Sequence, residues 1–297
     1  MPRGKILVTG SRSKIAGPVV EYFASNNYEV KVINRQNCER CKELGVDSYS
    51  HDLTAPLDIN YSPNVIIHAA ALVPYNFDRT ISDAEVYSSN VDSLINILSF
   101  AVTTGVKRIV LISTIDVYGP QPDLPIRDSA ICRPINIYGV AKLSCERIAK
   151  TFNLVHGTEI ATLRIGAVIG PNMNPRLRIY QMVKSVLAGD AIELRNADDI
   201  LSLVSEDDVV SAVIAACNLE SAPITYNITG APLPLRGLFD QIRNSSERMG
   251  EVTETRDSAE RSALVFDLSL AKKELGWSPS KNFCDVVNRF LRHPAKR

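Results

Sequence analysis

Lys5-Ile-Leu-Val-Thr-Gly10-Ser-Arg-Ser-Lys-Ile-Ala-Gly17 passes from an apolar run, through a glycine, into a helical pattern. Lys5–Thr9 reads as a buried strand ended by Gly10. From Ile15 to Ser25 a helical spacing gathers Val19, Val20, Tyr22 and Phe23. A strand that turns through small residues straight into a helix is where an open α/β sheet binds a dinucleotide pyrophosphate. Backbone N–H groups and the positive helix end face the anion there. Gly10 meets the need for close backbone approach, and Ser13 and Ala16 stand where further small residues are wanted. The expected cofactor contacts of this turn are Gly10, Ser11, Arg12, Ser13, Lys14 and Ile15. A strand–turn–helix without a ligand fits the same residues, because a lone glycine turn is a weak motif.

Outward from this turn, strands are expected at Glu29–Ile33, Val65–Ala69, Arg108–Ser113 and Ile160–Ile165. Helices are expected at Asp83–Thr104, ended by Gly105, and at Tyr138–Asn153. This alternation predicts an α/β fold, a doubly wound parallel sheet with right-handed crossovers. After Gly166 the rhythm breaks. A loop at Gly170–Pro175 precedes helices at Leu177–Ala188, Ser205–Cys217 and Leu268–Leu275, the last stopped by Gly276. The expected division is a dinucleotide-binding domain over 1–165, with 205–228 returning to it. Residues 166–204 and 229–297 would form a smaller C-terminal substrate lobe, onto which Trp277 is expected to pack the tail. No Gly/Ser linker separates the two, so they should share an interface.

The chain has 297 residues, with 33 Lys+Arg against 33 Asp+Glu, and this balance removes the footprint of a general nucleic-acid binder. No apolar run nears the roughly 20 residues that span a bilayer. The apolar start is too short for a signal-peptide core, so a cytoplasmic location is expected. Six cysteines are too sparse for a disulfide scaffold. Cys38-x-x-Cys41 has no second pair for zinc and reads as plain thiols, and no metal is expected.

The second strand ends at Asn34-Arg35. A carboxylate there would hold the adenosine ribose hydroxyls. A neutral amide and a cation, with Arg12 nearby, suit a 2′-phosphate instead, so NADP is expected, with NAD the alternative. Asp52 either bonds the adenine amino group or caps the next helix.

Tyr138-Gly-Val-Ala-Lys142 sets a phenol and an ammonium on one helix face at i and i+4. A nearby cation favours phenolate, which suits proton exchange with an alcohol or carbonyl. Ser113-Thr114 brings hydroxyls to the carboxyl edge of the sheet.

With Asp52-Leu53, His68-Ala-Ala-Ala71, Asn90, Ser113-Thr-Ile-Asp-Val-Tyr-Gly119, Leu163-Arg164, Asp207-Asp208-Val209, Tyr226-Asn227 and Leu275-Gly-Trp-Ser-Pro279, the chain resembles the extended short-chain dehydrogenase/reductases, or NAD-dependent epimerase/dehydratase family, over nearly its whole length. The resemblance implies a Rossmann-like fold. It implies that Tyr138 is the acid/base, Lys142 binds the nicotinamide ribose, Thr114 bonds the reacting oxygen and Asn90 supports the site. Asp52, Leu53, Ala69, Ala70 and Ala71 would line the cofactor. Tyr75, Asn172 and Arg256 would contact substrate, and the helices at 83–104 and 138–153 would pair two chains into a dimer. Ser13 and Ala16 depart from the family's glycines. Leu201 stands where many sugar-nucleotide members carry a diphosphate-clamping arginine, which Arg256 or Arg261 would have to replace. Ile115 replaces the acid that expels water in dehydratases. With dehydration set aside, the NADP expectation makes the expected function a keto-sugar reductase acting on a nucleotide sugar, by analogy with net reductions that draw on NADPH. A nucleotide-sugar 4-epimerase is the alternative, and a non-catalytic NADP-binding regulator is the alternative of another class.

Overall fold

A computed structural model describes residues 3–77, 79–170, 175–219, 224–244, 250–256 and 263–280. The first half runs β1 (Lys5–Thr9), α1 (Ala16–Ser25), β2 (Glu29–Asn34), α2 (Glu39–Glu43), β3 (Asp47–Ser50), β4 (Val65–His68), α3 (Asp83–Thr104), β5 (Arg108–Thr114), α4 (Ile137–His156) and β6 (Glu159–Ile165). The second runs β7 (Ala167–Ile169), α5 (Arg178–Ala188), β8 (Ile192–Arg195), β9 (Ile200–Ser205), α6 (Glu206–Cys217), β10 (Ile224–Ile228), β11 (Pro232–Pro234), α7 (Leu235–Asn244) and β12 (Val252–Thr255).

Seven parallel strands form the central sheet in the order β10-β6-β5-β4-β1-β2-β3. Both faces are covered, which is why these strands read as continuous apolar runs. On one face α1 and α6 pack over Val8, Val32, Val110 and Leu163. On the other, α3 and α4 pack over Leu7, Ile66, Ile109 and Leu111. Each such buried side chain contributes roughly 1.5–3 kcal/mol. A third cluster joins α5 and α7 through Met182, Val186, Leu238 and Ile242.

Local chemistry sets the helix ends. The Ser82 hydroxyl accepts the Glu85 N–H at 3.2 Å, and Gly105 ends α3 in the left-handed region. Asn136 caps α4 by accepting the Gly139 N–H at 2.7 Å. Ser205 caps α6, whose acidic first turn suits its positive end. Sequence reading assigns no element between residues 229 and 263. Yet α7 carries Leu235, Leu238, Phe239 and Ile242 at the spacing of one buried helix face. The short strands β7, β8, β11 and β12 have no such signal, because three or four residues are too few to show a period. Trp277 packs against α6. Its Nε1 donates to the Asp208 carbonyl at 3.0 Å and to the Ser211 hydroxyl at 2.9 Å.

Candidate active site

The strand order reverses direction between β1 and β4, so the chain leaves their carboxyl ends in opposite directions and opens a crevice. Gly10 lies on one side and Ala69–Ala71 on the other. Gly10 has φ +71, and a Cβ there would lie 2.6 Å from the Ala70 Cα. Only glycine permits that approach. The Thr9 hydroxyl accepts the Ala70 N–H at 3.1 Å and lies 3.0 Å from His68 Nδ1, tying the two strand ends together. Burial holds the His68 pKa at about 3, so the ring stays neutral beside Lys142.

The crevice has a volume of about 740 Å³. Gly10, Arg12, Ser13, Asn34, Arg35, Asp52, Leu53 and the three alanines line it. The Ser13 hydroxyl also accepts the Ala16 N–H at 3.0 Å, ahead of α1. Ile15 is the residue before α1. The Ser11 side chain is buried and bonds to Asn34 and Cys41. The Asn34 amide likewise turns inward and donates to the Ser11 hydroxyl at 2.7 Å. Arg12 donates to Gln36, while Arg35 stands exposed at the lip. Asp52 accepts from the Thr54 N–H at 3.0 Å and the Thr54 hydroxyl at 2.9 Å, so it closes a turn and caps no helix.

The residues fit a dinucleotide on two observations. A side chain at Gly10 would close the cradle. Lys14 follows in the same turn of the chain, outside the crevice lining; its ammonium is enclosed without a hydrogen-bond partner, and burial lowers its pKa to about 8 against the opposing pull of Glu206. An unpartnered cation beside the glycine turn suits an anionic pyrophosphate.

Tyr138, Lys142 and Thr114 are not among the residues that line this volume; α4 carries Tyr138 and Lys142 one turn apart, both buried. Gly139 between them packs on the backbone after β5, and a Cβ there would lie 2.6 Å from the Asp116 carbonyl oxygen. This contact brings the start of α4 against the Thr114 segment. The Thr114 hydroxyl accepts the Asp116 N–H at 3.2 Å, which leaves its proton to donate. Burial lowers the Lys142 pKa, with Cys145 and Glu146 acting the other way. Burial raises that of Asp116. Asn90 is buried on α3. Its amide donates to the Leu72 carbonyl at 3.0 Å and the Val86 carbonyl at 2.7 Å, fixing the chain after β4 to α3.

Sequence reading gives no role to the network beneath these groups. The Arg164 Nη2 meets Glu146 Oε2 at 2.7 Å with both side chains buried. Ser113 donates to the same carboxylate at 2.5 Å. Arg164 also donates to the Tyr118 hydroxyl at 2.8 Å, and that hydroxyl donates to Asn227 at 2.6 Å. Glu146 lies one turn beyond Lys142, so this network fixes the roll of α4 relative to β5. The available signal was the spacing of Glu146 from Lys142 together with an arginine inside an apolar strand.

The proposed substrate contacts are not brought together by the described residues. Tyr75 lies in a single 3₁₀ turn, Pro74–Asn76, and its side chain is outside the described residues. Asn172 and Arg261 lie outside them too. Arg256 is exposed just after β12. Leu201 pairs with Leu233 and packs in the apolar cluster of α5 and α7.

A nucleotide-binding α/β sheet with a tyrosine, a lysine and a threonine at its carboxyl edge defines a dinucleotide-dependent enzyme. The sequence profile of the NAD dependent epimerase/dehydratase family matches residues 6–229, and the chain belongs to that family. It is 26% identical to a putative UDP-glucose 4-epimerase of Methanocaldococcus jannaschii, over 96% of this chain and 97% of the relative. The solved UDP-glucose 4-epimerase of Thermotoga maritima with UDP-glucose superposes with a TM-score of 0.84 at 21% identity, covering 97% and 98% of the two chains. UDP-glucuronic acid 4-epimerase from Bacillus cereus, in complex with UDP-glucuronic acid and NAD, gives 0.84 at 20%, over the same shares.

Proposed function

We propose that the protein is a nucleotide-sugar 4-epimerase that uses NAD. This reading replaces the keto-sugar reductase expected from sequence, because the relatives and neighbours above are 4-epimerases. The observation that carries it is the start of α4, which bears Tyr138 and Lys142, packed through Gly139 on the backbone that follows Thr114 at the carboxyl edge of the sheet. A bound nicotinamide would supply the hydride acceptor and donor for the sugar carbon, with return to the opposite face of the intermediate ketone giving the epimer. Tyr138 takes the proton from the sugar hydroxyl and gives it back to the same oxygen. Lys142 holds the ribose and favours the phenolate, and Thr114 donates to the reacting oxygen. Asn90, Glu146 and Arg164 keep these groups in register.

NAD is preferred to NADP in this reading. The Bacillus cereus neighbour is described with NAD. Arg12 donates to Gln36 and the Asn34 amide turns inward, which leaves Arg35 alone to meet a 2′-phosphate. We assign the substrate lobe to 166–204 and 229–297, as the sequence division has it. We assign dimer formation to the paired helices α3 and α4, which expose Tyr87, Ile95, Val102, Val140, Leu154 and Val155.

The test is incubation of the protein with UDP-galactose and NAD, with UDP-glucose followed by nuclear magnetic resonance. Epimer without net cofactor reduction is expected. Consumption of NADPH with a keto-sugar, and no epimer, would restore the reductase. Side-by-side dissociation constants should favour NAD over NADP, and sedimentation at micromolar concentration should show a dimer.

A further inference from the structure

Cys38 and Cys41 take no part in the chemistry above, and their placement is more specific than that of plain thiols. Cys38 precedes α2 and Cys41 follows one turn on, so the two thiols share a face. The Cys38 sulfur accepts the Cys41 backbone N–H at 3.4 Å. The Cys41 sulfur lies 3.3 Å from the Ser11 hydroxyl. That hydroxyl is paired with the Asn34 side chain at 2.7 and 3.0 Å, and Asn34 lines the crevice at the end of β2. A chain of contacts thus runs from the two thiols, through the glycine turn, to the wall where the adenosine half of a dinucleotide would lie.

Both cysteines are buried, at 6% and 2% exposure. Arg35, Gln36, Asn37, Glu39, Arg40 and Lys42 around them are exposed, and α2 has only five residues. A short surface segment of this kind opens locally at small cost.

We propose that Cys38 and Cys41 form a thiol–disulfide exchange site for low-molecular-weight disulfides, and that its oxidation weakens binding at the adenosine end of the crevice. The second clause rests on the functional reading above. In the first step the Cys38 thiolate attacks one sulfur of the small disulfide, whose S–S bond breaks, and one thiolate leaves. Cys41 then gives its proton to the departing thiolate and attacks the Cys38 sulfur. The Cys38–Cys41 bond forms and the second small thiolate leaves. The protein has given up two electrons and two protons, and the small disulfide has become two thiols.

The environments of the two sulfurs suit these roles. Burial alone would raise the Cys38 pKa. Hydrogen bonds from the Cys41 thiol and amide and from Ser11, with the charge of Arg12, outweigh burial and lower it. Burial, and then Cys38 itself, push Cys41 up to about 11. The lower thiol attacks first and the higher one resolves. Closing the bond removes the Cys41 thiol from Ser11, so Ser11 and Asn34 lose a fixed neighbour in the crevice wall.

The test equilibrates the full chain in glutathione buffers from reducing to oxidising, with acid quench, alkylation and peptide mass analysis. NAD affinity is measured at each poise. The expected result is one Cys38–Cys41 disulfide per chain at the oxidising end and a several-fold rise in NAD Kd, reversed by dithiothreitol. The single variant C41S should accumulate a glutathione adduct on Cys38, and the double variant C38S/C41S should keep its reduced-state Kd throughout. Absence of the disulfide in the wild-type chain, or adducts confined to the other four cysteines, would overturn the exchange site with no need of a variant. A disulfide with unchanged NAD Kd would overturn the coupling. Failure of the reduced chain to bind NAD would overturn the functional reading and the coupling with it, while the mass result still decides the exchange site.

Discussion

The two ends of the candidate site are held by different forces. At the glycine turn, small neutral groups meet: Gly10 against Ala70, Thr9 against His68, Ser11 against Asn34 and Cys41. Beneath Tyr138 and Lys142 a buried ion pair, Arg164 with Glu146, is fixed by Ser113, Tyr118 and Asn227. The first end needs room for a large anion, and side chains there would fill it. The second needs a phenol and an ammonium aimed within a fraction of an ångström, and directional charged hydrogen bonds hold such aim better than apolar packing does.

The largest test of this contrast is Tyr138→Phe. It removes the proton and keeps the ring, so turnover should fall about 10²- to 10⁴-fold with cofactor affinity retained. Isothermal titration alongside the rate assay checks both parts, and a rate near wild type would move the chemistry to another residue.

Next comes Arg164→Met. It leaves Glu146 buried and unpaired, which costs roughly 3–5 kcal/mol of stability. Urea unfolding should show that loss, and adding Glu146→Gln should recover part of it. If the single and double variants are equally unstable, the pair is not the unit that holds α4.

The matching change at the glycine end is Ser11→Ala, which takes one partner from the buried Asn34 amide at about 1–3 kcal/mol. A loss as large as that of Arg164→Met would erase the proposed difference between the two ends.

The smallest effect is pH dependence at Asp128, which accepts from the Asn227 N–H at the edge of the ion-pair network. Burial raises its pKa to about 6, against about 3.9 unfolded. Between those values the folded chain holds more protons, so this group makes stability fall as pH rises through about 4 to 6. Asp52 and Asp267 work in the opposite sense, since hydrogen bonds lower their pKa values. The difference between wild type and Asp128→Asn in urea midpoint across this range isolates the effect, and parallel profiles would refute it.

Much of the fold was legible because it is local. The run Lys5–Thr9, the turn at Gly10 and the Tyr138–Lys142 spacing are set by neighbours within a few residues, where period and sterics operate. The inward turn of Ser11 and Asn34 was not legible, since an amide at a strand end reads equally as facing the ligand or the core. Nor was α2 with its paired thiols, which is too short to show a period.

The sequence by itself determined that a strand would turn through Gly10 into a helix and that a phenol and an ammonium would share one helix face. Backbone sterics and the helical repeat act within one segment and need no partner. Only the tertiary structure decided what surrounds those groups. Parallel register sets Ser113 beside Arg164, and Arg164 beside Asn227, across three adjacent strands. That register brings Glu146 its arginine. It follows from strand order, which depends on how two apolar faces are covered at once and is not written in any one segment.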